Sequence, residues 1–236
     1  MLSGVMAIFL AGSVLPVAAP AQPAPPVPAA PRAGAVETEA TFVARCRAET
    51  IARFPGARAQ AESICRSIWM QIAAASPMAD VLIAAAPSAG TSFDPSAART
   101  QLPLVRWAAR PAQGSVASGK LGDIEVVIKS TPAPGLTLAW SKGGEPIPFN
   151  LAEALKGRGA ALATIGCLSF GSSESTQVYR VAAPGKAVFA LTIASREAAV
   201  ASQSSSFIAT AAYGGEMPTL ATLRRDGSEW FPTCPQ

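Results

Sequence analysis

The sequence predicts an α+β protein: an N-terminal disulfide-linked antiparallel helical hairpin with a short third helix, then a mainly antiparallel β-sandwich or curved sheet. Three observations carry that expectation. Apolar residues recur at helical spacing through residues 37–87. Beyond residue 101, short alternating segments follow one another with turn residues between them. Cys46 and Cys65 stand nine residues on either side of a Pro55-Gly56 reversal.

The chain begins with residues 1–31, which hold no charged side chain. Residues 5–19 form a short apolar run ending in Val17-Ala18-Ala19, a small-residue site of the kind signal peptidases cut. Residues 1–19 therefore read as a signal peptide, although no Lys or Arg precedes the run. The run is shorter than the roughly 20 residues a spanning helix needs, so no stable membrane span is expected after cleavage. Residues 20–36 are a Pro/Ala-rich leader without the means to build a core. The reading places the protein in the periplasm or outside the cell.

Residues 37–87 are the predicted helical region. Val43, Cys46, Thr50 and Phe54 recur at steps of three and four on one helix face. Pro55-Gly56 stops that helix. Ala61, Ile64, Cys65, Ile68, Ile72 and Ala75 form the stripe of the next, with Trp69 at its edge. Ser76-Pro77 is expected to end it and cap a third helix with Met78, Val81, Leu82 and Ala85 on its buried side. Folded at residues 55–56, the two cysteines come level, within the roughly 7 Å a disulfide needs between alpha carbons. On one unbroken helix they would stand roughly 28 Å apart. The bond closes a loop whose constraint is worth about 3 kcal/mol. The alternative is a pair of buried thiols; an exported chain favours the disulfide.

Residues 88–101 read as a linker, rich in Ser, Gly, Pro, Asp and Thr. Residues 102–236 read as a β-rich domain. Residues 102–109 are the first expected strand and 110–122 a loop. Ile124, Val126 and Ile128 alternate with Glu125, Val127 and Lys129, and Leu136, Leu138 and Trp140 repeat the pattern. Asn150 and Glu153 resemble a capping box opening a short helix at residues 151–156. Strands are expected at 160–170, 176–183, 187–194 and 206–213, and a last helix at 218–225. Four cysteines permit three pairings; pairing Cys46 with Cys65 leaves Cys167 with Cys234.

The chain contains no histidine. That removes Ser-His-Asp triads, Cys-His dyads and histidine metal sites. No G-x-S-x-G, S-x-x-K, C-x-x-C, phosphate loop or dinucleotide glycine pattern occurs. Neither a metal nor a cofactor is expected. The net charge of +4 is spread over scattered arginines without interleaved aromatics, so nucleic acid is not an expected partner. Asp123, Glu125, Glu145 and Glu153 are the remaining catalytic resource, and a pair of acids could hydrolyse a glycan. Their ordinary roles are a solvent-facing strand residue for Glu125 and a capping residue for Glu153. Trp107 and Trp140 are candidate ligand contacts, able to stack on a sugar ring; core packing is the competing role. The expected function is an exported cell-envelope protein acting as a non-enzymatic binding module for an envelope protein or glycan. The alternatives are a carboxylate-dependent glycan hydrolase and a structural or stress-protective protein.

Overall fold

The computed structural model describes residues 37–131, 133–142, 150–169, 174–196 and 205–233. All of them fall within one compact unit, Pro31–Gln236. The signal and leader expected at 1–36, Glu145 and Cys234 lie outside the described residues.

Helix α1 (Glu39–Arg53) starts at Thr38, whose Oγ1 accepts the Thr41 N–H and fills one of the unpaired donors of the first turn. Phe42, Val43 and Cys46 form its buried side. It ends ahead of Pro55, and a single 3-10 turn at Pro55–Ala57 leads to α2 (Ala61–Ala85). Cys46 and Cys65 are joined as a disulfide, with alpha carbons 5.9 Å apart. Phe42 packs on Trp69 with ring centroids at 5.5 Å.

The expected break at Ser76-Pro77 does not occur: α2 runs through Pro77 to Ala85. Proline removes one helical N–H, but Ala75, Met78, Ala79, Val81, Leu82 and Ala85 keep one continuous buried stripe across it. Ser76 Oγ donates back to the Ile72 carbonyl at 3.0 Å, a local bond that accompanies bent but unbroken helices. Burial along 25 residues outweighs the local signal. By length and composition α2 could cross a membrane; here its apolar stripe is covered by α1 and the sheet.

The segment expected as a linker carries α3 (Pro95–Thr100), with the Asp94 carboxylate accepting the Ser96 N–H at 2.8 Å. It leads to β1, only Arg106–Trp107, because residues 102–105 turn rather than extend. A strand falls where a loop was expected, β2 (Ala117–Leu121). Its Gly119 lies against the Arg106 carbonyl and Val105 side chain, where a Cβ would stand only 2.7 and 2.8 Å from them. Glycine is thus what lets β1 pair there, and it also weakens the strand signal in the sequence.

Strands β3 (Ile124–Lys129) and β4 (Gly135–Lys142) complete a first meander, and α4 (Leu151–Lys156) follows. Asn150 makes no side-chain cap on α4. Its amide instead donates to Gln71 Oε1 at 2.8 Å, tying α4 to α2. Arg158 adds a second tie, with Nη2 donating to Asp80 Oδ2 at 2.8 Å. The second meander is β5 (Ala161–Ser169), β6 (Glu174–Ala182), β7 (Phe189–Arg196) and β8 (Ser205–Ala212). The expected final helix is reduced to α5 (Leu220–Leu223) and a 3-10 turn.

All eight strands join one antiparallel sheet in the order β1-β2-β3-β4-β8-β7-β6-β5. The two meanders meet where β4 pairs with β8 along its whole length. Of the two expected arrangements, a sandwich or a curved sheet, the described strands form one sheet, and the layer packed on it is helical. Val126, Leu138, Ala209 and Ile193 lie in one cross-strand row, and Ile128, Leu136, Ala211 and Leu191 in another. Both rows belong to one buried cluster with Met78, Leu82, Leu151 and Leu155 of the helices. Tyr213 and Lys186 close the far end of α2. The Tyr213 hydroxyl donates to the Leu82 carbonyl at 2.7 Å, which also accepts the Ala86 N–H, and Lys186 Nζ donates to the Ala86 carbonyl at 2.8 Å.

Candidate binding surface

Side chains alternate across a strand, so the rows between the core rows face away from the helices. One such row reads Val127, Thr137, Thr210 and Thr192 across β3, β4, β8 and β7. The Thr137 and Thr210 hydroxyls stand 3.3 Å apart. The next row reads Glu125, Ala139, Ile208 and Ala194. A third places Ala212 between Gly135 and Ala190. Across β3, β4, β8 and β7 these rows are thus built mostly of Ala and Thr, with Val127, Ile208 and Gly135 among them. Ile208, on the central β8, remains 43% exposed.

The two margins of the face differ. At the β5 margin the C-terminal segment folds over it. A Cβ on Gly166 would lie 2.8 Å from Leu223 and 3.2 Å from Trp230, so glycine makes room for that cover. Arg224 Nε donates to the Trp230 carbonyl at 2.8 Å and holds the segment closed on itself. At the β1 margin the loop after β1 covers Ser118, whose buried hydroxyl accepts the Ala112 N–H at 3.0 Å. Arg106, Lys120 and Glu125 stand opposite one another on β1, β2 and β3. They line a cleft of about 610 Å³ together with Leu104, Ala108 and Ser118. Among the described residues none of the three charged groups forms an ion pair.

The other sequence candidates are distributed elsewhere. Trp107, next to Arg106, points to the opposite side of the sheet. It lines a groove of about 520 Å³ with Arg99, Thr100 and Leu102, and the Arg99 guanidinium lies over its ring at 5.7 Å. Trp140 is 8% exposed and packs within the core, so its ring is not presented to a ligand. The three described acids do not converge. Glu125 is on the outer face. Glu153, on α4, pairs with Lys156 at 2.6 Å and lies near Tyr179 on the helical side, where burial and its negative charge raise the phenol above its ordinary range. Asp123 occupies the β2–β3 turn. Among the described residues no group of three or more His, Cys, Asp or Glu side chains gathers as a metal site.

The outer face escaped the sequence reading because its residues are small. Alanine and threonine at alternate positions read as neither core nor site; only the strand order, which sets Thr137, Thr210 and Thr192 side by side, assembles them. Arg106 and Lys120 are 14 positions apart in sequence and meet through register alone.

No protein-family model matches the chain, and neither a curated protein nor a solved structure matches it.

Proposed function

We propose that this chain is a non-enzymatic binding module of the cell envelope, and that the outer face of its sheet receives an envelope protein or glycan. The observation that carries the reading is the uncovered face itself: helices pack on one side, and the other presents Ile208 and a threonine row beside the Arg106–Lys120–Glu125 cleft. A flat face of hydroxyls and small apolar groups offers hydrogen bonds and contact area while ordering few flexible side chains, which keeps the entropic cost of binding low. The cationic margin adds attraction for acidic envelope polymers. In this reading residues 1–19 direct export, and the disulfide is compatible with an oxidising compartment. The two helices joined by that bond act as an antiparallel hairpin bracing the inner face. A two-acid hydrolase would need a second carboxylate beside Glu125, and the described residues lining that cleft include none.

The test is saturable binding of the full chain to purified cell-wall glycan and to detergent extracts of envelope proteins. Ile208→Glu and the double substitution Arg106→Glu/Lys120→Glu should each weaken binding at least tenfold at unchanged melting temperature. Equal binding by parent and both variants, or no saturable binding to either material, would remove the outer face from consideration.

A further inference from the structure

Arg45 and Arg66 take up the four acids of the helical pair nearest the turn, while Asp80, farther along α2, pairs with Arg158. Arg45 pairs with Glu37 at 3.1 Å and with Glu49 at 3.4 Å. Arg66 pairs with Glu39 at 2.9 Å and with Glu62 at 3.1 Å. No acid lies between Glu49 and Glu62. Arg53 and Arg58, at the turn between α1 and α2, are exposed and form no ion pair among the described residues. Between them stands Phe54, 61% exposed, followed by exposed Pro55 and Gly56. Ile64, in the first turn of α2, is 40% exposed.

We propose that this turn docks on an anionic lipid surface, with the Phe54 ring entering the headgroup–acyl boundary and Arg53 and Arg58 on the lipid phosphates. An exposed phenyl flanked by cations and free of acids has the charge and polarity of an interfacial anchor. Two arginines are too few to track a nucleic-acid backbone. The turn is also held in shape. Cys46 stands seven residues before Arg53 and Cys65 seven after Arg58, so the crosslink sits roughly 10 Å behind the tip at helical rise. A pre-shaped tip loses little freedom on docking. The site is separate from the outer face of the sheet and does not depend on it.

The experiment is flotation of the full chain with vesicles of phosphatidylcholine containing 30 mol% phosphatidylglycerol (about the anionic fraction that sets a physiological surface potential), and with phosphatidylcholine alone. The parent should partition onto the anionic vesicles far more than onto the neutral ones. Arg53→Gln/Arg58→Gln should reduce that partition roughly thirtyfold, since each cation near the surface contributes about a fivefold factor. Phe54→Ser should reduce it about tenfold. A Phe54→Trp variant, which keeps an aromatic at the tip, should show fluorescence quenched by lipids brominated on the acyl chains. The proposal is overturned if the neutral vesicles bind as well, if the substitutions leave partition unchanged, or if the tryptophan is not quenched. It is equally overturned if polyglutamate binds the parent as tightly as the anionic vesicles do and Phe54→Ser leaves that binding intact, which would mark an acidic protein as the partner.

Discussion

On β4, Leu138 points into the core and is fully buried, while Thr137 beside it points away from the helices and stays partly exposed. The contrast repeats on β8 with Ala209 and Thr210, and on β7 with Ile193 and Thr192. The same strands thus carry a face that the helical layer needs and a face that it never touches. Wholly apolar residues, from Ala209 to Leu138, face the helices; threonines and alanines with Val127 and Ile208 face the other way. The residues that hold the fold together and those left on the outer face are therefore separated by a one-residue step along a strand.

The strongest way to break that comparison is to truncate both sides at one place. Leu138→Ala should cost about 3–4 kcal/mol, because the emptied volume sits between the sheet and α2 and cannot collapse fully. Thr137→Ala, one residue away, should change stability by less than about 0.5 kcal/mol. Urea unfolding of the two variants measures both, and similar losses would mean that the outer face is not free. Next in size is the covalent brace of the helical layer. Cys46→Ser/Cys65→Ser should destabilise the chain by about 3 kcal/mol, seen as a lower denaturation midpoint. A reductant added to the parent should lower the midpoint at least as far, since Cys167 is disulfide-bonded as well, and should lower that of the double variant by less.

The smallest effect sharpens how the sheet is fastened to α2. Tyr213 is fully buried, and desolvation pushes its phenol well above the ordinary range. Tyr213→Phe removes its hydrogen bond to the Leu82 carbonyl and should cost about 1–1.5 kcal/mol at neutral pH. The pH dependence follows from the direction of the shift. Below about pH 10 both folded and unfolded phenols keep their proton, so stability does not depend on this group. Above it the unfolded chain releases a proton that the folded chain holds, and stability falls as pH rises, by up to about 1.4 kcal/mol per pH unit. The phenylalanine variant should show a shallower decline above pH 10 in pH-resolved denaturation. Tyr179, also raised by burial, remains to supply part of the slope.

How much could be read in advance varies with how local the cause is. The crosslink between α1 and α2 was legible because two apolar stripes and a Pro-Gly reversal bring Cys46 and Cys65 level without any other part of the chain. The alternation of Val126 and Ile128, or of Leu136 and Leu138, marked half-buried strands for the same reason. Asp94 ahead of Pro95 is a local signal too, a capping residue followed by the proline that suits a first helical turn, yet the loop-like composition around it hid α3. Pro77 misled in the opposite sense, since a strong local stop yielded to a buried stripe contributed by distant elements. Gly119 disguised β2, because its small size answers the approach of Arg106 and Val105 rather than a loop. The candidate surface was the least legible part. Trp107 and Trp140 drew attention by their size, but Trp140 fills the core and Trp107 lies under Arg99, while the open face consists of residues that carry no individual signal.

Sequence alone determined the α+β class, the Cys46–Cys65 bond, the alternating faces of several strands and the want of histidine chemistry. Each of these rests on residue type or on spacing within one element. Tertiary structure decided that the strands form one sheet in two meanders, that α2 continues through Pro77, and that helices and sheet share a single core. It also decided which face of the sheet is left open. Those outcomes depend on contacts between residues far apart in the chain, and periodicity within a segment gives no account of which segment will lie against it.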